Sequence, residues 1–183
     1  MNLPLALTWG RIIAIPVFAV VFYMPFESAN VLCTAIFFVA GITDWLDGYL
    51  ARKWGQTSSF GAFLDPVADK LMVVVALILL TEYAASPWFS LPAVVIIGRE
   101  ITVSALREWM AELGERASVA VSTMGKIKTA LQLWALGFLI YREPIGDFIV
   151  WDVGLVLLYA SAALTLWSMI VYLRAAWPKL SNE

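Results

Sequence analysis

Histidine is absent from this chain of 183 residues, and cysteine occurs once, at Cys33. The first absence removes the usual general base near neutral pH and the commonest metal-binding imidazole. The second excludes an internal disulfide and any cysteine-ligated metal cluster, so Cys33 reads as a small apolar residue facing lipid or protein. Charge is scarce as well: 12 Lys and Arg and 14 Asp and Glu make up 14% of the chain, with a formal net charge of −2. Any acid–base or metal chemistry must therefore come from carboxylates, and no nucleic-acid partner is expected.

What is plentiful is apolar surface. The chain is 62% hydrophobic with a mean hydropathy of +0.84, well above a soluble domain. A spanning helix needs about 20 mostly apolar residues, and six stretches qualify, roughly 5–26, 29–52, 61–83, 87–112, 124–142 and 152–174. The expectation is an all-α integral membrane protein with six transmembrane helices, forming a single domain over residues 1–183. Turn chemistry separates the spans at Pro25 to Asn30, Lys53 to Ser59, Ser86-Pro87, Gly114 to Ser122 and Pro144 to Asp147. No basic region precedes Leu3–Leu7 and no small-residue cleavage site follows, so the first stretch is expected to stay as the first span.

The basic residues give the orientation. With a cytoplasmic N-terminus, one side collects Arg11, Arg52, Lys53, Lys70, Arg99, Arg107, Arg116, Lys126, Lys128, Arg174 and Lys179, and the other has only Arg142. Cytoplasmic loops are the ones enriched in Lys and Arg. Both termini are therefore expected in the cytoplasm, which requires an even number of spans. The nine Trp read as anchors at the membrane interfaces.

The acids that remain near the spans carry the chemical argument. Asp44, Asp47, Gly48 and Ala51 fall at i, i+3, i+4 and i+7, one face of a helix. Gly61, Asp65 and Asp69 step by four on the next. Pro66 fits that second helix only if it starts nearby, because proline is tolerated in the first turn and disrupts the interior. The short connection after Arg52 makes the two helices antiparallel neighbours with their acidic ends level at the cytoplasmic interface. Four carboxylates at a membrane boundary repel one another and resist burial unless a cation sits among them. An all-oxygen donor set favours Mg²⁺ or Mn²⁺ over zinc or copper, and two such ions a few Å apart suit phosphoryl transfer. Gly48, Ala51 and Gly61 remove bulk beside the acids, so that a nucleotide or a neighbouring backbone can approach.

The run Asp-x2-Asp-Gly-x2-Ala-Arg-x8-Gly-x3-Asp-x3-Asp, from Asp44 to Asp69, matches without a gap the signature of the CDP-alcohol phosphotransferase family, which the whole chain resembles. The segments Ile42–Gly48, Leu64–Lys70, Gly98–Ile101, Ser104–Glu108 and Gly125–Thr129 resemble the branch of that family that takes glycerol 3-phosphate as acceptor. One departure is Leu5, where the family's opening usually has a second Asn. The resemblance implies six spans, a homodimer and a site facing the cytoplasm at a bacterial inner membrane. It implies that Asp44, Asp47 and Asp65 ligate two metals, that Asp69 contacts metal and serves as the base, and that Gly48, Ala51, Arg52 and Gly61 form the CDP pocket. The reaction implied is attack by a glycerol 3-phosphate hydroxyl on the phosphatidyl phosphorus of CDP-diacylglycerol, with CMP leaving.

A phosphorylated acceptor needs cations. Arg99 lies deep in the fourth span, where a lone charge is unfavourable, so it either serves the acceptor or pairs with a carboxylate such as Glu100 from a neighbouring helix. Arg107, eight residues on, is about a quarter turn away around the helix. Lys126 and Lys128 are 200° apart, so at most one points squarely into the site while the other extends to the headgroups. Arg11 has a choice between the nucleotide and the headgroups. Ser58 and Ser59 lie beside the motif without a histidine to activate them, which favours direct displacement over a covalent intermediate. Two other readings fit the acids: a sister phosphatidyltransferase acting on another alcohol (a cardiolipin, phosphatidylinositol-phosphate or phosphatidylserine synthase), and a small cation carrier.

Overall fold

A computed structural model of the chain describes residues 3–54, 59–112, 123–146 and 148–180. It contains six helices: α1 (Leu3–Tyr23), α2 (Ala29–Trp54), α3 (Ser59–Ala84), α4 (Pro87–Glu112), α5 (Thr123–Tyr141) and α6 (Val150–Leu180). Among the described residues there is no β-strand, only an isolated bridge between Ile145 and Phe148. Among the described residues, three helices are long and apolar enough to cross a membrane, over Ala6–Tyr23, Pro87–Met110 and Val150–Val171. Shorter apolar stretches cover Ala29–Asp44 and Ile127–Tyr141. Exposed Ile13, Val94 and Val156 are the kind of side chain lipid covers and water does not.

The helices follow the predicted stretches, with two differences. The first is that α3 begins at Ser59 and runs through Pro66, so that proline is not in its first turn. Proline lacks the N–H that would bond the Ala62 carbonyl, and the helix continues past it to Ala84. The second is that α6 reaches Leu180 where the apolar stretch predicts an end near residue 174. Asp152 in its first turn complements the positive end of the helix dipole.

The chain forms two compact units. The first comprises Met1–Tyr83 and Gly137–Trp151, and α1 packs against α2 within it. Its core is apolar: Phe18, Cys33, Phe37, Leu77, Leu80 and Leu139 are all fully or almost fully buried. Cys33 places its Sγ 3.8 Å from the Phe18 carbonyl, the packing role its sequence context predicts. Gly137 lets α5 approach α2, because a Cβ there would stand 2.4 Å from the Phe38 ring. Asn30 at the start of α2 donates to the Tyr141 carbonyl at 2.8 Å and so satisfies the last turn of α5. Arg142 then turns the chain with a φ of 64°. Its guanidinium lies 4.0 Å from the centroid of Phe22 and 4.3 Å from that of Tyr83, a double cation–π contact. Tyr23 bonds Glu82 beside it.

The second unit comprises Ala84–Leu136 and Asp152–Glu183. Ser86 and Pro87 open α4 as the sequence predicts: Pro occupies the first helical position, and the Ser86 carbonyl accepts from Phe89 at 3.0 Å and Ser90 at 3.1 Å. Phe89, Ile96, Val103, Leu136 and Leu158 are buried in it, together with Ser161 and Thr165. Pro92 lies inside α4 and removes the donor that the Trp88 carbonyl would otherwise have. The Tyr159 hydroxyl of α6 donates to that oxygen.

Candidate active site

The two acidic stripes lie on elements of the first unit, the C-terminal half of α2 and the N-terminal half of α3. Because α2 continues unbroken to Trp54, positions 44, 47, 48 and 51 share one of its faces, and positions 61, 65 and 69 likewise share one on α3. Asp44 stands where the apolar part of α2 ends. Its Oδ1 accepts from Nη1 of Arg11 at 2.5 Å, across the α1–α2 packing. The Arg11 side chain is only 1% exposed and that of Asp44 38% exposed, so the ion pair runs from a dry interior to an accessible carboxylate. A guanidinium in the middle of an apolar helix needs such a partner. Arg11 holds one oxygen of Asp44 and fixes the direction of that carboxylate.

Asp69 is exposed on α3. The side chains of Asp47, Gly48, Ala51, Arg52, Gly61 and Asp65 lie outside the described residues. Among the described residues no three acidic side chains form a cluster, Asp47 and Asp65 being outside that set. The donor set fits a hard divalent cation: Asp44 is an accessible carboxylate with one oxygen held by Arg11 and the other left to coordinate, and the chain has no histidine to compete for softer metals. Ser59 is the first residue of α3, and Ser58 lies outside the described residues.

A second polar group lies in the other unit. Glu100 Oε1 accepts from Arg99 Nη1 at 2.7 Å and from Lys128 Nζ at 2.9 Å. All three side chains are largely buried, at 10% exposure for Arg99, 17% for Glu100 and 6% for Lys128. Arg99 Nη2 also approaches Ser168 Oγ of α6 at 3.5 Å, and Ser168 in turn donates to the Thr165 carbonyl. The sequence marks residues 99 and 128 as functional cations, and here one carboxylate gathers them. The expected geometry needs correcting in one respect. Glu100 comes not from a neighbouring helix but from the next position of α4, and the neighbouring helix supplies Lys128. The sequence leaves open which of Lys126 and Lys128 points inward, and Lys128 is buried. The side chains of Arg107 and Lys126 lie outside the described residues.

The sequence reasoning missed two partners: Arg11 for Asp44, and Lys128 as the second cation on Glu100. The available signal was the same for both. A cation inside an otherwise apolar span implies an anion within reach.

A family description, CDP-alcohol phosphatidyltransferase, matches residues 1–167 of the chain. A relative from Haemophilus influenzae is 57% identical over 96% of this chain and 93% of its own length. One from Salmonella typhimurium is 55% identical over 100% of this chain and 98% of its own. One from Yersinia pestis is 53% identical over 98% and 97%. All three carry the name CDP-diacylglycerol–glycerol-3-phosphate 3-phosphatidyltransferase.

Proposed function

We infer that this chain, which belongs to the CDP-alcohol phosphatidyltransferase family, transfers the phosphatidyl group of CDP-diacylglycerol to glycerol 3-phosphate, releasing CMP. The observation that carries this reading is the likeness to the three relatives named for that reaction, which extends over nearly the whole chain. It separates the chain from a cation carrier and, by acceptor, from sister transferases. Family members generally use divalent metals. In this chain Asp44, Asp47, Asp65 and Asp69 would hold the metal, Mg²⁺ or Mn²⁺ and two ions by the count of carboxylates. Such ions supply positive charge against the pyrophosphate of the donor lipid.

The protein's own groups do the remaining work. Arg11 keeps Asp44 oriented before substrate arrives. Gly48, Ala51, Arg52 and Gly61 form the pocket for the CDP moiety. Arg99 and Lys128, with Arg107 and Lys126, attract and orient the acceptor's phosphate, which leaves its hydroxyl to attack in line. Asp69, exposed on α3, takes the hydroxyl proton. With no histidine in the chain to activate Ser58 or Ser59, the displacement is direct. The protein works as a homodimer of six-span subunits in the bacterial inner membrane, each chain a single domain with both termini and the site on the cytoplasmic side.

The test is an acceptor panel. Purified protein with CDP-diacylglycerol and Mg²⁺ or Mn²⁺ releases CMP fastest with glycerol 3-phosphate, and excess chelator stops it. Faster release with serine, inositol phosphate or phosphatidylglycerol overturns the acceptor assignment. Undiminished release in chelator overturns the metal assignment.

A further inference from the structure

Two cations on different helices serve one phosphate only if they converge. Arg99 and Lys128 each place a nitrogen within 3 Å of the same Glu100 oxygen. The two nitrogens are therefore less than about 6 Å apart, a distance at which like charges repel strongly in a low-dielectric interior. Neither side chain has much water to screen that repulsion. Helix geometry does not produce the arrangement by itself: neighbouring positions on α4 point about 100° apart, so Arg99 has to bend back to reach Glu100. Ser168 steadies the other end of the guanidinium, because its hydroxyl hydrogen goes to the Thr165 carbonyl and its lone pairs face Arg99.

We propose that Glu100 is the positioning residue of the acceptor site: its carboxylate draws Arg99 of α4 and Lys128 of α5 together, so that the anionic group of a phosphorylated alcohol meets both at once. The proposal rests on the assignment of Arg99 and Lys128 to the acceptor phosphate. Glu100 touches the two cations and not the reacting atoms, and it differs from them in carrying the charge a phosphate would avoid. Its role is to hold the pair in place, and it is the most exposed of the three.

The experiment compares steady-state kinetics of the wild-type enzyme and Glu100→Gln, varying each substrate in turn. The expected result is a KM for glycerol 3-phosphate raised tenfold or more, with no more than a twofold change in the KM for CDP-diacylglycerol. Glu100→Asp keeps the charge but withdraws it by one methylene, and it falls between the two; it also supplies the comparison if Glu100→Gln does not fold. The inference is overturned by an unchanged acceptor KM, by equal rises for both substrates, which mark a merely structural role, or by a lowered acceptor KM, which marks Glu100 as a competitor of the phosphate. Failure of the functional reading shows earlier and elsewhere, as wild-type enzyme that releases no CMP in response to glycerol 3-phosphate, and that result removes the inference with it.

Discussion

The Tyr159 hydroxyl meets the Trp88 carbonyl at 2.5 Å, the very oxygen that Pro92 deprives of its helical donor. A defect in α4 is thereby repaired by α6. Tyr159→Phe is expected to lower stability in detergent by about 0.5–1 kcal/mol, the net worth of a hydrogen bond in such surroundings. In a Pro92→Ala background the backbone supplies its own donor, so the same substitution should cost measurably less. Thermal unfolding of the four proteins gives the comparison, and equal costs in both backgrounds would refute the repair.

Arg11 orients Asp44 from beneath, the part that groups behind a metal ligand usually play, and their loss weakens metal binding about 10–100-fold. Arg11→Met should raise the metal concentration for half-maximal CMP release within that range, and titration calorimetry on the same variant should show a matching loss of affinity. A normal metal dependence would limit Arg11 to holding α1 against α2.

Asp69→Asn removes the proposed base and keeps the shape. Turnover is expected to fall by about 10²–10⁴, while CDP-diacylglycerol still binds in an equilibrium assay. Near-normal turnover would take Asp69 out of that role.

Gly137 admits α5 to α2 at the Phe38 ring, and a branched side chain there has no room. Gly137→Val should cost about 1–3 kcal/mol, the usual penalty of overpacking, and Phe38→Ala in the same chain should recover part of it. Unfolding midpoints of the single and double variants decide, and additive losses would contradict the contact.

Much of this was legible from the residue order, and for definite reasons. Ser86-Pro87 marks the start of α4 because proline suits a first turn, and α4 begins at Pro87. Cys33 was readable as a small apolar residue because a lone thiol in an apolar helix has little else to do, and its full burial settles the choice between lipid and protein in favour of protein. Pro66 misled because a proline inside a helix removes one hydrogen bond without having to end the helix, and α3 starts at Ser59 and continues past it. The Arg11–Asp44 pair spans 33 positions and depends on how α1 lies against α2, which no periodicity encodes. Glu100 was placed wrongly because adjacent helix positions diverge, and the structure nonetheless joins Arg99 to Glu100 with Lys128 arriving from α5 on the same oxygen.

The first unit is assembled from two stretches of chain, with residues 84–136 between them. Phe22 and Tyr83 are therefore made well before Arg142, the cation that stacks on both. At typical synthesis rates the ribosome needs roughly 3–12 s to get from Tyr83 to Arg142. During that interval Phe22 and Tyr83 lack the cation that stacks on them. Closure of that end therefore waits for the residue that follows the fifth helix.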